Sequence, residues 1–331
     1  MKKLKWGILG TATIAVEQVI PALLTSEFNS VIAIASRVKS KAKLVAERFG
    51  IPTYFGAYEQ LLNMDEIEAV YIPLPNHLHV EWAIKALQKG KHVLLEKPVG
   101  MNAQEAKVLM EASVQFPQLK IMEAFMYRFH PQWKKVRQLI TKGSIGKVTL
   151  VESSFTFFED NPESIVNSKE YGGGSLMDVG CYPISVARLI FGTEPISVMA
   201  QMEVDPKLQI DASTSGILEF KTGRALIHSS IRQFENQTLK ISGEKGSIEV
   251  AVPFNPEADR ESNLVLKNQE GVTDFTIERC NQYVLQVDSF AKAISNEFAL
   301  PISLSESLAN MKVVDALKES DPAEKKIYLS K

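Results

Sequence analysis

Two stretches of this sequence carry side chains able to move a proton. In Glu96-Lys97-Pro98 a lysine follows the apolar run His92–Leu95. If that run is a strand, Lys97 stands at its carboxyl end, where a side chain reaches a cleft rather than a core. A partly desolvated ammonium there has a lowered pKa and can donate a proton, share one or polarise a carbonyl. A surface lysine paired with Glu96 accounts for the same residues. The second stretch runs Gly172-Gly173-Gly174-Ser175-Leu176-Met177-Asp178-Val179-Gly180-Cys181-Tyr182-Pro183. On a helix, Asp178 and Tyr182 are four apart and share a face. A phenol whose pKa is lowered by a cation such as Lys97 is an acid–base group for an alcohol or carbonyl. A packing tyrosine in a first helical turn explains the spacing equally well. Pro183 lacks the N–H that would reach the Val179 carbonyl, so a kink is expected. Arg128 and Tyr283 are weaker cleft candidates. Phe155 and Phe157 are candidates for a substrate wall, with core packing the commoner role for either.

These residues need elements to hold them. Short apolar runs at Leu4–Leu9, Val31–Ala35, Ala69–Ile72, His92–Leu95 and Lys120–Ala124 alternate with amphipathic segments at Ile14–Thr25, Lys41–Phe49, Val80–Lys89 and Ala103–Val114. Continuous apolar strands separated by helix-length segments predict βαβ units and a parallel sheet covered on both faces. Gly90 is placed as a left-handed helix cap. Beyond about residue 145 the texture changes. Lys147–Phe157, Ser215–Phe220, Arg224–Arg232, Thr238–Ser242 and Ser247–Val252 read as strands, with hairpins through Lys221-Thr222-Gly223 and Gly243-Glu244-Lys245-Gly246. A helix over Ser175–Phe191 lies among them, and two more, Leu285–Asn296 and Ser305–Lys318, close the chain. The expected fold is an α/β Rossmann-type doubly wound parallel sheet, 1–124, followed by an α+β domain, 125–331. The second domain has an open-faced, mostly antiparallel sheet, and the last helix, 305–318, is the element expected to return to the first domain. The irregular stretch Asn161–Gly174 is long enough to form a functional edge.

Gly10-Thr11-Ala12-Thr13-Ile14-Ala15 sits between the first strand and the first helix. It is a relaxed G-x-A-x-x-A form of the dinucleotide fingerprint. Gly10 permits the tight turn, Ala12 lets backbone approach the pyrophosphate, and the helix amides favour that anion. A plain strand-to-helix turn is the competing reading. The second strand ends Ala35-Ser36-Arg37 with no acid to hold a ribose diol, and Arg37, Lys39 and Lys41 crowd the next helix start, where cations are disfavoured. A bound phosphate resolves that conflict, so Ser36, Arg37 and Lys41 are expected to hold the 2′-phosphate of NADP, with NAD still open; a solvated basic turn is the alternative. Pro73-Leu74-Pro75-Asn76 and His77-Leu78-His79 follow Ala69–Ile72, again at the ligand end of the sheet. Asn76 can also cap the following helix. His77 and His79 lack nearby carboxylate or thiolate, so no metal is expected. A lysine beside a cationic nicotinamide is the desolvated kind invoked above. Glu96, Lys97 and Arg128 complete the expected cofactor surface with Gly10, Thr11, Ala12, Thr13, Ile14, Pro73, Leu74, Pro75, Asn76 and His79.

Composition removes several other classes. Length alone, 331 residues, suggests about two domains at roughly 150 residues each. Lys plus Arg number 37 against 39 Asp plus Glu, a net charge of −2, which speaks against nucleic-acid and polybasic membrane binding. Cys181 and Cys280 cannot form a disulfide scaffold, and a cytoplasmic location is expected. The basic, apolar start imitates a secretory signal, but Gly7, Gly10, Thr11 and Thr13 break it as a strand and glycine loop would. No run approaches the ~20 apolar residues of a membrane span.

The chain resembles the glucose-fructose oxidoreductase / inositol dehydrogenase / rhizopine-catabolism family of NAD(P)-dependent oxidoreductases. The likeness rests on Trp6–Ala12, Pro75–His79, Gly90–Pro98, Glu123–Arg128 and Gly173–Tyr182, in the family's order across both halves. The resemblance implies a Rossmann domain and an open-faced sheet domain often used for dimerisation, hence a homodimer or larger homo-oligomer. It implies that Lys97 is the catalytic lysine of an E-K-P motif and that Asp178 is the acid of a D-x-x-x-H pattern. Tyr182 stands at the His position. That is similar to the branch of dihydrodiol dehydrogenases, NADP-dependent xylose dehydrogenases and glucose-fructose oxidoreductases, in which Tyr is the acid/base, and it counts against inositol dehydrogenase activity. The expected activity is NADP(H)-linked hydride transfer at a CH–OH or C=O carbon of a sugar, polyol, dihydrodiol or dicarbonyl. A dinucleotide-binding regulator without turnover is the alternative on the same fold.

Overall fold

The computed structural model describes residues 2–295 and 298–329. Met1, Asn296 at the end of an expected helix, and Lys331 at the end of the expected second domain lie outside the described residues. The chain divides into two compact units: Met1–Met126 with Asn281–Leu308, and Tyr127–Cys280 with Ala309–Lys331.

The first unit is built on six strands: β1 (Leu4–Leu9), β2 (Asn29–Ala35), β3 (Thr53–Phe55), β4 (Ala69–Ile72), β5 (His92–Leu95) and β6 (Ile121–Glu123). They form one parallel sheet in the order β3-β2-β1-β4-β5-β6. All of β4, the last four residues of β1 and the last three of β5 are buried, so both faces must be covered, and the connecting helices supply that cover. The five expected runs are strands. The sixth, β3, is a three-residue edge strand of half-exposed residues with no apolar run to announce it. Strand order reverses between β1 and β4, which makes the space beyond their carboxyl ends the topological switch point. Gly90, at φ +71°, closes the helix His79–Gln88 as a left-handed cap.

The first unit also includes a late piece of chain. The helix Gln282–Ile294 packs here: Phe290 lies 5.6 Å from the Trp6 ring, and Asp288 accepts hydrogen bonds from Ser26 (2.5 Å) and Asn29 (3.2 Å). Asn29 in turn accepts the Trp6 indole N–H at 2.7 Å. A two-part split of the sequence after residue 124 cannot show this return, because it depends on a buried pairing across some 260 residues. The last helix, Leu304–Ala323, contributes only its first residues to this unit.

The second unit carries nine strands: β7 (Val148–Phe158), β8 (Ser197–Val204), β9 (Asp211–Phe220), β10 (Gly223–Ser230), β11 (Arg232–Gly243), β12 (Gly246–Val250), β13 (Ser262–Asn268), β14 (Gly271–Ile277) and β15 (Ile327–Tyr328). Their order is β14-β13-β12-β11-β7-β10-β9-β8-β15. Among the described residues of this unit only β7 and β10 pair in parallel. Both expected hairpins form, β9–β10 and β11–β12. Strands β8, β13, β14 and β15 and the helix Gln132–Thr141 were not among the expected elements. Along β9 and β10 burial alternates with period two, so one face is covered and the other open. Against the covered face lies the helix expected over Ser175–Phe191. It begins with a π-type turn, Leu176–Gly180, and continues as α-helix through Cys181–Phe191. The π turn changes the hydrogen-bond register just ahead of Pro183, which cannot donate, so the helix runs on across the proline.

Candidate functional site

In the first unit the expected cofactor residues gather at the carboxyl ends of β1, β2, β4 and β5. Gly10 has φ +129° and donates its N–H to Ala35 carbonyl at 2.9 Å. A Cβ added there would lie 3.3 Å from Leu74 Cδ2 and 3.5 Å from the Pro73 carbonyl. Glycine is thus needed for conformation and because the loop rests on Pro73-Leu74. Thr11, Ala12 and Ile14 are half-buried and Thr13 is exposed at the helix start, where N–H groups are available to an anion.

At the end of β2, Ser36 is buried and accepts the Val38 N–H at 3.3 Å. Arg37, Lys39 and Lys41 are exposed. The helix Lys39–Phe49 begins with no side-chain cap and no acidic residue in its first turn. Tyr58 lies beside Arg37: burial pushes its phenol pKa up, and the guanidinium opposes the shift.

Beyond β4 and β5, two loops are braced from inside. His79 is fully buried, with Nδ1 2.7 Å from the Pro98 carbonyl and Nε2 2.7 Å from the Leu74 carbonyl. Burial pushes its pKa down to about 4 against those two carbonyls. A neutral ring donates from one nitrogen only, so one of the two contacts is a hydrogen bond at a time. His79 was expected at the cofactor, but its ring is turned into the interior, where it ties the Leu74 loop to the Pro98 loop. Glu96 is also nearly buried, with Oε1 accepting from the Tyr71 hydroxyl at 2.5 Å and Oε2 from Lys97 N–H at 3.3 Å. The Val99 N–H is held by Glu123 at 2.8 Å. Lys97 is half-buried on this braced loop. Tyr283 is close to it: burial first, then the Glu96 charge, raises the Tyr283 phenol, while Lys97 opposes. Tyr283 is thus within electrostatic reach of Glu96 and Lys97. Pro75 and Asn76 are half-buried at the start of the 3-10 turn Asn76–Leu78. Among the described residues no three His, Cys, Asp or Glu side chains gather as a metal site.

In the second unit Asp178 is half-buried and Tyr182 is buried on the helix over β10. Tyr182 joins a cluster of rings: Phe155 at 5.4 Å, Phe254 at 5.4 Å and Tyr127 at 5.8 Å. Phe155 stacks on Phe254 at 5.3 Å, and Phe157, two residues along β7, is half-buried. Burial pushes the Tyr127 phenol up to about 12, opposed by Arg128, and its hydroxyl pairs with Ser185 at 2.7 Å. Arg128 is half-buried beside it. The start of the helix is held by Asp211, whose Oδ2 accepts from Leu176 N (2.7 Å), Ser175 Oγ (2.8 Å) and Thr214 Oγ1 (2.9 Å). Burial raises the Asp211 pKa, and these donors and Lys318 offset part of the shift. The Asn161–Gly174 stretch is tied too: Asn167 donates to the Glu159 and Asn161 carbonyls and accepts from Arg232.

Family models match both halves of the chain: an oxidoreductase family with an NAD-binding Rossmann fold over residues 4–118, and the GFO/IDH/MocA C-terminal domain over residues 133–249. The chain belongs to the GFO/IDH/MocA oxidoreductase family. An uncharacterised oxidoreductase of Rhizobium meliloti is 42% identical over 97% of each chain. A D-xylose 1-dehydrogenase (NADP(+)) of Haloferax volcanii is 38% identical over 95% of this chain and 96% of its own. Among solved structures, a 3-ketoreductase from Actinomadura kijaniata in complex with NADP and TDP-benzene superposes with a TM-score of 0.91. It is 30% identical and is covered over 98% of its length by 97% of this chain. This member of the GFO/IDH/MocA family is thus a dinucleotide-binding oxidoreductase. Its residues fit the group: a side chain at Gly10 would crowd the cradle, and the first turn of the Lys39 helix holds Lys39 and Lys41 with no acidic residue.

Several residues at the site escaped sequence reading. Tyr71, Glu123 and Tyr58 act as braces from strands or helices where they resemble ordinary core. Phe254 sits in Val252-Pro253-Phe254-Asn255-Pro256, and nothing in that spacing announces an aromatic neighbour for Tyr182. Asp211 had one signal: the triple glycine before Ser175 marks a close approach of some other group.

Proposed function

We propose that this protein is an NADP(H)-dependent dehydrogenase or reductase acting on a sugar, polyol, dihydrodiol or dicarbonyl. The observation that carries the proposal is the lysine loop at the end of β5. Buried His79 and Glu123 hold it on the same sheet rim as the Gly10 cradle. The bound cofactor supplies or takes the hydride at a CH–OH or C=O carbon. Tyr182 moves the hydroxyl proton, Lys97 steadies the developing oxyanion, and Asp178 orients substrate hydroxyls. Arg37, with Ser36 and Lys41, holds the 2′-phosphate. The name of the Haloferax volcanii relative supports NADP and a sugar substrate, and the Actinomadura kijaniata complex supports NADP. The name trans-1,2-dihydrobenzene-1,2-diol dehydrogenase, of a Xenopus laevis protein 35% identical over 74% of this chain, supports the dihydrodiol class.

The second unit supports a homo-oligomer. On the open face Met199 pairs with Ile217 and Ile217 with Leu226, an apolar row 46%, 42% and 39% exposed. Free Cys181 and Cys280 fit a reducing, cytoplasmic compartment. Among the described residues no helix is long and apolar enough to cross a membrane.

The test is a substrate panel of D-xylose, other aldoses, trans-1,2-dihydrobenzene-1,2-diol and diacetyl, followed by NADPH formation or consumption. Lys97→Met and Tyr182→Phe are each expected to lose about 10²–10⁴ in turnover while still binding NADPH. Undiminished activity in both variants would sink the mechanism. Tight NADP(H) binding with no turnover across the panel would favour a regulator.

A further inference from the structure

We infer that Gln132 and Gln237 are positioning residues: their side-chain amides set the Phe254 ring against Tyr182 and so fix the direction of its phenol. This rests on the reading of Tyr182 as the acid–base group.

The segment Val252–Asn255 lies between β12 and β13, and four backbone groups in a row are held by two side chains. Gln132 Nε2 donates to the Val252 carbonyl at 3.2 Å and to the Pro253 carbonyl at 3.0 Å. Gln237 Oε1 accepts from Phe254 N at 3.1 Å and from Asn255 N at 2.9 Å. One amide works through its nitrogen and the other through its oxygen. Flipping either would turn like against like, so the roles are assigned by their partners. Gln132 is completely buried at the start of the helix Gln132–Thr141, so its hold is not diluted by water.

The clamped segment delivers one side chain to the cluster. Phe254 is completely buried and meets Tyr182, Phe155 and Tyr127 at 5.3–5.5 Å, flat on Phe155 (10°) and edge-on to Tyr127 (88°). A tyrosine ring turns about two torsions, and here neighbouring rings limit both. Proton transfer depends on that aim, since misplacement by about 1 Å can cost about 10²-fold in rate. The Phe254 side chain has no polar group, so the two amides act on it through the backbone they hold.

The experiment uses the full chain and four variants: Gln237→Ala, Gln237→Glu, Gln132→Ala and Gln132→Glu. Turnover is measured on whichever of D-xylose, trans-1,2-dihydrobenzene-1,2-diol or diacetyl the parent converts fastest. NADPH binding is measured by fluorescence quenching. Gln237→Ala is expected to lower kcat about tenfold, short of the ~10²-fold of a full misplacement, with NADPH affinity within about twofold. Gln237→Glu recovers most of that loss, because a carboxylate accepts the same two N–H groups. Gln132→Glu falls at least as far as Gln132→Ala, because a carboxylate cannot donate to two carbonyls. A role in bulk packing would treat the two Glu variants alike, and that result overturns the inference, as does turnover near the parent's in all four. Phe254→Leu keeps apolar volume while removing the flat ring. It is expected to fold and to lose kcat about as Gln237→Ala does, so a Gln132 variant that fails to fold leaves the inference open to refutation. If Tyr182→Phe stays active, or the parent converts none of the three compounds, the underlying reading of the site fails and takes this inference with it. If Tyr182→Phe is dead and the crossed Glu pattern is missing, only the clamp is refuted.

Discussion

Gly174→Ala tests how the helix that carries Asp178 and Tyr182 is held. Gly174 has φ +104°, and an added Cβ would fall inside the contact radius of Asp211 Oδ1. Asp211 cannot swing away cheaply, since its Oδ2 holds Leu176 N, Ser175 Oγ and Thr214 Oγ1 at 2.7–2.9 Å. Gly192 provides the control in the same unit. It caps the helix Cys181–Phe191 at φ +65°, with nothing within 4 Å of an added Cβ. Gly192→Ala therefore carries backbone strain alone, about 1–2 kcal/mol. Gly174→Ala carries similar strain and breaks at least one hydrogen bond to a buried carboxylate, worth about 1.5–3 kcal/mol more. The total is about 2.5–5 kcal/mol. At roughly 2–4 °C per kcal/mol for a unit of this size, Gly174→Ala should melt about 10 °C below the parent and Gly192→Ala about 4 °C below. Scanning calorimetry is the appropriate assay, because two units need not unfold as one transition. Turnover should fall further in Gly174→Ala, since the displaced helix start carries Asp178 and Tyr182. Melting of the two variants within about 2 °C of each other would refute the role given to Asp211.

Other outcomes follow from the same geometry. Arg37→Ala should weaken NADPH about 10–100-fold, the loss of a charge-assisted bond of about 1.5–3 kcal/mol, and leave NADH nearly unchanged. An equal effect on both, measured by fluorescence quenching, would remove Arg37 from the 2′-phosphate. His92 and His130 are both pushed down to about 4 by burial, and each Nδ1 accepts a backbone N–H that an imidazolium could not. Their folded pKa lies below the unfolded value of about 6.5, so the stability they contribute is present above about pH 6.5 and is lost as pH falls toward 4. Melting temperature should therefore drop between pH 7 and pH 4.5, less steeply in His92→Gln and His130→Gln; a rise on acidification would contradict this. Ile217→Asp, at the centre of the exposed row on the open face, should convert an oligomer to a monomer in light scattering. A parent that is already monomeric at micromolar concentration would dismiss that surface as the contact.

Much of the first unit is legible because its information is local. An apolar run, a glycine that must take φ +129°, and a helix start lie within a dozen residues, and each constrains its neighbours through sterics and hydrogen bonding. The same holds for the missing acid after β2 and for Lys97 two residues past the end of β5. The three-residue strand β3 escaped because an edge strand needs no apolar run.

What the tertiary structure alone decided are matters of distance along the chain. Helix Gln282–Ile294 belongs with the first sheet because Asp288 and Phe290 meet Ser26 and Trp6, and no pattern within the helix shows that. His79, read beside a ligand loop, turned out to be a buried tie between two loops. Spacing alone leaves Tyr182 open between packing and chemistry; its surroundings are set by Phe155, Tyr127 and Phe254, brought from three separate segments. Side-chain type and local turn geometry are written into short stretches of sequence. Which buried groups meet is settled by the whole fold, because only the fold removes water from between them.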